Sequence, residues 1–260
     1  MEPVYRTLEV IAASMRGAQG VHVDYRGLDN IPTTGGAVLA INHTGYLDFV
    51  SVALGVSSRG RRIRFMVKSE MLDVGIMRFL IRHTGTVPVD RSMGHDAYEK
   101  AVATLRAGEL IGVYPEATLS RSFEIKELKS GAVRMAAAAG VPVIPIITWG
   151  AHRQLSKGGI RSMGRKKIPV VVEYGSPIDV SDVDLASTES VDEKVAVLRA
   201  TMVAMLHPMQ EAYPHPAGEP WVPARLGGGA PTYDEAKVIE DEEAAAKAAA
   251  RAKKRQSGRG

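Results

Sequence analysis

Three short apolar runs, each followed closely by a polar turn, constrain the fold of this chain more than any other feature. The runs cover residues 38–41, 86–89 and 110–114, and the turns carry His43, Arg91 and Glu116. Runs rich in Val, Ile and Leu are typical of strands buried in a parallel sheet. Loops at the carboxyl ends of neighbouring parallel strands converge on one crevice. The sequence therefore predicts an α/β fold, a single domain whose central, mostly parallel or mixed sheet is flanked by helices.

The composition narrows the class of protein. The chain has 260 residues, of which 45% are apolar and 24% are charged, enough to bury one sizeable core. It has no cysteine, which excludes disulfides, thiolate nucleophiles and thiolate metal ligands. The first ten residues have no basic region followed by an apolar core, so we expect no secretory signal, and no apolar run approaches the roughly 18 residues of a membrane span. The histidines other than His43 show no metal-ligand spacing, so we expect no metal and no cofactor.

The chain is predicted to divide into three parts. Residues 1–20 form an amphipathic helix, which either packs on the domain or lies on a bilayer surface. Residues 21–212 form the main domain. Residues 213–260 begin with a segment rich in Pro and Gly whose composition indicates a linker that buries no core, and continue as a charged tail. We expect this tail to be flexible, either disordered or loosely helical.

The turn after the first run holds the strongest candidate for chemistry. His43 and Asp48 are five positions apart, which on one regular helix separates side chains by about 140°. They meet only if His43 precedes the helix and Gly45 bends the chain between them. A neutral imidazole oriented by a carboxylate can take a proton from a hydroxyl. A simple capped turn is the alternative.

Basic and apolar residues are mixed in the stretch 59–91, which holds eight Lys or Arg and three acidic residues. This mixture suits contact with an anionic lipid surface or with a phosphate-bearing ligand. A solvated face with a buried apolar side is an equal alternative. Nucleic acid is not an expected partner, because the stretch lacks interleaved aromatic residues and any recognisable binding motif.

The other two turns carry groups that suit anions or polyols. Arg91 follows the end of its predicted strand, where the planar guanidinium suits a phosphate or a carboxylate. Glu116 is followed by Thr118 and Arg121, a combination that can hold a polyol or a phosphate. A surface salt bridge at Arg91 and a helix cap at Glu116 are the structural alternatives.

These turns resemble the conserved blocks of the glycerolipid acyltransferases, the group that includes the 1-acylglycerol-3-phosphate acyltransferases. Residues 42–48 resemble the His-x4-Asp motif of that family. The second, third and fourth blocks are matched by residues 85–91, 114–118 and 141–145, and shorter blocks by residues 68–71 and 129–131. All four main blocks occur in the family's order between residues 22 and 177, which makes the resemblance specific.

The resemblance implies transfer of a fatty acyl group from a thioester, acyl-CoA or acyl carrier protein, to the hydroxyl of a lysophospholipid such as 1-acylglycerol-3-phosphate. His43 would be the general base and Asp48 its orienting partner in a step of phospholipid biosynthesis. The implied substrate-binding residues are Arg91, Glu116, Thr118, Arg121, Gly85, Lys68 and Lys129. With no span, the protein is expected in the cytoplasm, peripherally attached to the inner face of the cell membrane.

The third block departs from the family's usual Glu-Gly-Thr-Arg. Ala117 replaces the glycine and Leu119 the arginine, with Arg121 two positions later. Either Arg121 reaches the same phosphate through a looped turn, or the head group of the acceptor differs. Two other functions stay open: a CoA-independent phospholipid transacylase, and a lipid-binding module without turnover. The intact His43 and Asp48 favour an enzyme.

Overall fold

The computed structural model describes residues 3–68, 73, 75–89, 94–162 and 164–257. Its helices are α1 Pro3–Gln19, α2 Asp48–Ser58, α3 Gly75–His83, α4 Gly94–Arg106, α5 Gly131–Ala139, α6 Thr188–Ala212 and α7 Tyr233–Ser257. Its strands are β1 His22–Arg26, β2 Ala37–Ile41, β3 Ile63–Lys68, β4 Val87–Val89, β5 Leu110–Val113, β6 Val143–Trp149 and β7 Pro169–Tyr174.

The seven strands form one sheet in the order β1-β7-β6-β2-β5-β3-β4. All pairs are parallel except β6 with β7, which is antiparallel. The order places β2 between β5 and β6, so the loops that follow β2 and β5 are neighbours at the carboxyl edge. The predicted fold class, an α/β domain with a mostly parallel mixed sheet flanked by helices, is confirmed.

Strand β2 is the centre of two apolar layers. Each of its five residues is buried, which explains why its sequence is apolar without alternation. Val38 and Ala40 point into the layer covered by α4, α5 and α6, and Leu39 and Ile41 into the layer covered by α2. Burial on both faces fixes the register of β2, and thereby the position at which the chain leaves the sheet.

Helix α2 continues through Gly55 without a break. A Cβ atom at this position would lie 2.1 Å from the hydroxyl oxygen of Tyr174 and 2.7 Å from Tyr25. The glycine therefore serves close packing of α2 on the sheet and does not stop the helix.

The segment predicted as a linker contributes to the core, so the interpretation that its composition cannot bury apolar residues is wrong. Trp221 and Val222 are 7% and 0% exposed. The Trp221 ring packs under the Arg153 guanidinium at 4.1 Å, and its carbonyl lies 3.2 Å from Nε2 of His152. Beyond this anchor the tail is helical over α7. None of the helices in the described ranges is both long and apolar enough to cross a bilayer.

Candidate active site

The loop that follows β2, residues 42–48, is called here the histidine loop. Its first residue, Asn42, is fully buried and extends the sheet with its side chain. Asn42 Nδ2 donates to the Thr148 carbonyl at 3.1 Å, and the Thr148 N–H donates to Asn42 Oδ1 at 2.7 Å. The carbonyl oxygen and the NH2 group of the Asn42 side chain both have a hydrogen-bond partner in β6. This pairing fixes the point at which His43 leaves the sheet.

His43 and Asp48 meet as the sequence predicts. His43 Nδ1 lies 3.6 Å from Asp48 Oδ2, and Asp48 is fully buried. The same Oδ2 accepts the N–H groups of Thr44 at 2.9 Å and Gly45 at 2.7 Å. Burial raises the pKa of Asp48, while His43 and the two N–H donors act against that rise. The carboxylate is thus held within its own loop and turned toward the imidazole.

Gly45 is required for this turn because the chain passes very close to its neighbours there. A Cβ atom at Gly45 would lie 2.8 Å from Cα of His152 and 2.9 Å from Oδ1 of Asp48. Any side chain would therefore displace either the backbone at His152 or the carboxylate. The bend predicted at Gly45 is present, and the structure adds the physical reason for it.

The imidazole is held by stacking on Tyr114 and faces the carboxylate without a direct hydrogen bond. The rings of His43 and Tyr114 lie 4.0 Å apart at an angle of 28°. Nδ1 is buried against Asp48, whereas the His43 side chain as a whole is 22% exposed. With Nδ1 turned inward, Nε2 is the ring nitrogen left to meet a substrate. The arrangement can act as a base toward a hydroxyl group.

The loop that follows β5, residues 114–126, is called the glutamate loop. Glu116 is 4% exposed, and both of its carboxylate oxygens accept backbone N–H groups. Oε1 accepts from His43 at 2.8 Å, and Oε2 accepts from Lys126 at 3.1 Å. The Ser120 N–H in turn donates to the His43 carbonyl at 2.8 Å. The glutamate loop therefore holds the backbone of His43 on both sides.

Burial raises the pKa of Glu116 to about 7, and the two N–H donors act against this rise. The carboxyl group is consequently poised to titrate near neutral pH. Because both of its oxygens face donors, the hydrogen-bond geometry suits the ionised form.

The structure shows how the chain accommodates the residues that depart from the third block, Ala117 and Leu119, and where Arg121 points. Ala117 adopts φ 62°, the left-handed conformation that favours glycine, so a strained residue occupies the position at which the resembled motif has glycine. Leu119 is 4% exposed and packs inward. Arg121 instead reaches toward the tail, where its Nη2 donates to Glu243.

A cavity of about 530 Å³ adjoins the glutamate loop. Its lining includes three of the residues that the sequence predicts to bind substrate, Glu116, Thr118 and Lys129. Lys126, Lys157 and part of α7 also line it. His43 is not among the lining residues, and Glu116, which binds its backbone, connects the two regions. The structure therefore brings His43, Asp48, Glu116, Thr118 and Lys129 into one neighbourhood.

Three other residues are predicted to bind substrate, Arg91, Lys68 and Gly85, and the structure describes the last two of them. Arg91 lies outside the described residues, so its role stays a prediction. Lys68 ends β3 at the carboxyl edge of the sheet, opposite Val89 of β4. Gly85 lies before β4, at the amino edge, where its φ of 66° forms a turn against the Arg64 side chain. The structure does not bring Gly85 to the site, because parallel strands place their two ends on opposite edges of the sheet.

Several residues of the site were not assigned a role from sequence. Asn42 and Tyr114 lie inside the matched blocks, and their position next to the reacting groups was a usable signal. Ser156 donates through Oγ to the Thr44 carbonyl, and the Leu155 carbonyl accepts from Tyr46 N at 2.9 Å. These two residues are more than 100 positions from the histidine loop, so no local pattern could indicate them. Within the described ranges, no group of three His, Asp or Glu side chains could hold a metal ion.

Comparison with known proteins identifies similar proteins over the part of the chain that holds these loops. The acyltransferase family profile matches residues 22–149, which include the histidine loop and the glutamate loop. The 1-acyl-sn-glycerol-3-phosphate acyltransferase of Bacillus subtilis (strain 168) is 26% identical over 173 residues, which cover 66% of this chain and 79% of the bacterial protein. The chloroplast 1-acyl-sn-glycerol-3-phosphate acyltransferase of Brassica napus is 26% identical over 164 residues, covering 60% of this chain and 46% of the plant protein. The chain thus matches less than half the length of the plant relative.

A solved structure with a similar fold is also an acyltransferase. The crystal structure of the 1-acyl-sn-glycerophosphate acyltransferase from Thermotoga maritima superposes with a TM-score of 0.58 at 20% identity, and the match covers 79% of this chain and 82% of the other. This likeness concerns the fold. The profile, the relatives and the order of the matched blocks lead to one assignment. The chain belongs to the glycerolipid acyltransferase family.

Proposed function

We propose that this protein transfers a fatty acyl group from acyl-CoA to the free hydroxyl of a lysophospholipid such as 1-acylglycerol-3-phosphate, as a step of phospholipid biosynthesis. The observation that carries the proposal is the buried Asp48 carboxylate 3.6 Å from Nδ1 of a partly exposed His43. The names of the relatives support the choice of acceptor.

In the proposed reaction, Nε2 of His43 takes the proton of the acceptor hydroxyl while its oxygen attacks the thioester carbonyl. The carbon–oxygen bond forms, the carbon–sulfur bond breaks, and the thiolate leaves with the proton returned by the imidazolium. Asp48 stabilises the imidazolium and keeps Nδ1 as the protonated nitrogen. No acyl-enzyme is needed, because the activated hydroxyl attacks the thioester directly.

The oxyanion that forms in this step needs donors outside the first part of the histidine loop. The N–H groups of Thr44 and Gly45 are bound to Asp48, and that of Tyr46 is bound to the Leu155 carbonyl. These three donors stabilise the loop. They are not free to stabilise developing charge on a substrate.

The acceptor's phosphate is proposed to bind at the cationic wall beside Glu116. Lys126 Nζ donates to Thr118 Oγ1 at 2.6 Å, and Lys129 lines the same cavity. Ammonium and hydroxyl groups suit a phosphate monoester. Arg91 is proposed as a further ligand on the strength of the matched second block. The donor, acyl-CoA or acyl carrier protein, is a substrate, and no cofactor is required.

Acyl transfer itself tests the proposal. The purified protein is incubated with radiolabelled acyl-CoA, and in parallel with labelled acyl carrier protein, against a panel of lysophospholipids differing in head group. Thiol release coupled to formation of the diacyl product, lost in His43→Ala, is the expected result. Thiol release that no acceptor stimulates, or that does not depend on His43, would overturn it.

Two alternatives give different results in the same assay. A transacylase forms the diacyl product from a labelled phospholipid donor in the absence of CoA. A lipid-binding module retains labelled lysophospholipid on the protein and forms no product. The intact His43–Asp48 pair favours turnover over binding alone.

We also propose that the protein is cytoplasmic and attaches peripherally to the inner face of the cell membrane. Helix α1 packs on the domain through Tyr5, whose hydroxyl bonds to Ile63, and leaves a second apolar face open. On that face Val10, Ile11 and Met15 are 54%, 49% and 51% exposed. Release from membranes by high salt would indicate electrostatic attachment, whereas release by detergent alone would indicate insertion of this apolar face. Recovery in the supernatant without either treatment would contradict membrane contact.

A further inference from the structure

Helix α7 lies against the cavity beside the glutamate loop and contributes acidic side chains to its wall. Glu240 accepts a hydrogen bond from Lys126 Nζ, and its other oxygen lies 4.0 Å from Lys157 Nζ. Glu243 accepts a hydrogen bond from Arg121 Nη2. Two carboxylates of the tail therefore pair with three cations next to the proposed catalytic groups, which leaves one positive charge in excess.

These cations, Arg121, Lys126 and Lys157, are called the cation cluster. They come from two separate loops, the glutamate loop and the loop that follows β6. Their side chains are only 17–19% exposed, so they converge in a partly desolvated place. Burial lowers the pKa of Lys157, and the nearby Glu240 and Glu243 act against that change. Three inward-turned cations form a site for an anion with several oxygens.

One residue, Glu116, links the cation cluster to the proposed base, His43. The Lys126 N–H donates to Glu116, and the other oxygen of Glu116 accepts the N–H of His43. An anion bound at the cluster thus lies next to the loop that positions the imidazole.

The carboxylates of α7 do not complete this site. Arg121 Nε and Glu240 Oε1 are both buried and have no hydrogen-bond partner. A carboxylate offers two oxygens in one plane, whereas a phosphate monoester offers three in a tetrahedral arrangement. A phosphate can therefore use the Arg121 Nε donor, which the two glutamates leave unused.

The contact of α7 with the domain is mainly polar. A capping box fixes the start of the helix, since Glu235 accepts from Thr232 N at 2.8 Å and Thr232 Oγ1 caps the Glu235 N–H at 3.3 Å. Among the α7 side chains that the structure describes, Ala236 is the buried apolar one, at 4% exposure, whereas Val238 is 58% exposed. A helix held by ion pairs over so little apolar area can be displaced by a competing anion.

Residues 240–243 of α7 are all acidic and lie on two faces of the helix, one of which is exposed. Glu240 and Glu243 are one helical turn apart and face the cation cluster, whereas Asp241 and Glu242 are exposed. We propose that Glu240 and Glu243 occupy a phosphate-monoester site formed by Arg121, Lys126 and Lys157, so that α7 is an internal competitor that the acceptor's phosphate must displace. The identity of the displacing ligand as the acceptor rests on the proposed function.

Binding of a small phosphate monoester tests the site without requiring turnover. Glycerol phosphate is titrated into the full-length protein and into the double variant Glu240→Gln/Glu243→Gln by calorimetry. Removal of the competing charges is expected to tighten binding about tenfold, within the usual range of coupling between two sites. The matched control, Asp234→Asn/Glu242→Gln, removes the same charge from exposed positions of the same helix and is expected to bind like wild type.

A third substitution locates the ligand. Adding Lys157→Gln to the Glu240→Gln/Glu243→Gln protein is expected to abolish the gain in affinity. In wild type, glycerol phosphate is expected to speed hydrogen exchange in residues 236–248 and to slow it in residues 118–126, because the helix leaves as the anion binds. Circular dichroism and urea unfolding verify that every variant is folded.

The inference and the proposed function fail in different ways. Equal affinity for glycerol phosphate in wild type, the double variant and the control, or unchanged exchange in α7, overturns the inference even if acyl transfer is active. Absence of acyl transfer with every acceptor overturns the proposed function, while tighter binding by the double variant still supports the inference. If both hold, the double variant also shows a lower KM for the phosphorylated acceptor at an unchanged kcat.

Discussion

The histidine loop and the glutamate loop look alike in sequence, yet their buried carboxylates are used differently. Each loop follows a fully buried strand, and each carries an acid that is less than 5% exposed. Asp48 accepts two N–H groups of its own loop and faces the His43 ring. Glu116 accepts one N–H group from each loop, and one of these belongs to His43.

Under the proposed mechanism, the difference gives the two acids separate tasks. Asp48 would act on the electronic state of the imidazole, because it faces Nδ1, the ring nitrogen opposite the one proposed to meet the substrate. Glu116 acts on the position of the imidazole, because it bonds to the backbone that carries the ring. Both oxygens of Glu116 are already used by backbone donors, so direct binding of the acceptor by Glu116 requires one of these bonds to open.

The largest expected effect is the loss of the base. His43→Ala should reduce kcat by roughly 10²–10⁴-fold, the usual range for general-base catalysis. The fold should persist, because the neighbouring loops hold the backbone of His43. Steady-state kinetics with acyl-CoA checks the rate, and His22→Ala, at an exposed position of β1, is the matched control. A variant that keeps more than a tenth of the activity would contradict a role for His43 as the base.

The second effect separates the two acids. Asp48→Asn keeps the shape of the side chain but presents an amide to Nδ1, so the imidazolium loses its counter-charge and the tautomer is disturbed. We expect kcat to fall about 10²-fold, and Glu116→Gln to lower kcat by no more than about tenfold. Single-turnover thiol release measures both. Equal losses in the two variants would remove the distinction between the loops.

The third effect concerns stability and pH. Because burial raises the pKa of Glu116 to about 7, the folded protein keeps a proton that the unfolded chain releases near 4.5, so Glu116 destabilises the fold increasingly as pH rises between these values. Glu116→Gln should remove this slope, which amounts to about 3 kcal/mol across the interval. Urea unfolding at pH 5 and pH 8 measures it, with the exposed Glu99→Gln as control. Parallel pH profiles for wild type and Glu116→Gln would show that the carboxyl group titrates normally.

The smallest effect concerns the strained turn of the glutamate loop. Ala117→Gly should relieve the left-handed backbone conformation at φ 62°, although glycine makes the unfolded chain more flexible. The net expectation is a stabilisation of up to about 1 kcal/mol with kcat unchanged. Thermal unfolding checks it. Destabilisation by glycine would show that the flexibility of the unfolded chain and the contacts of the alanine methyl group together outweigh the strain.

The sequence predicted the parts of this molecule that depend on local pattern and chain order. Buried strands, the bend at Gly45 and the meeting of His43 with Asp48 follow from apolar runs, turn residues and the geometry of parallel sheets. The direction in which Glu116 points did not follow, because a carboxylate after a strand can face either a ligand or a neighbouring loop. Only the positions of the His43 and Lys126 N–H groups decide between these arrangements.

The C-terminal part was the least predictable from sequence. Its Pro and Gly content indicated a linker, yet Trp221 is buried against Arg153 and His152, about 70 positions earlier. Likewise, the ion pairs of Glu240 with Lys126 and of Glu243 with Arg121 join residues more than 110 positions apart. Contacts at such separations leave no periodic signal in the sequence.

The central claim is that His43 and Asp48 act as one catalytic unit, and a double-mutant cycle tests it most directly. The kcat of His43→Ala, Asp48→Asn and the combined variant is measured with one acyl-CoA and one lysophospholipid. If Asp48 works through the imidazole, the combined variant is as slow as His43→Ala alone, within about threefold. A combined loss equal to the product of the two single losses would show that Asp48 acts independently of His43, and would contradict the account.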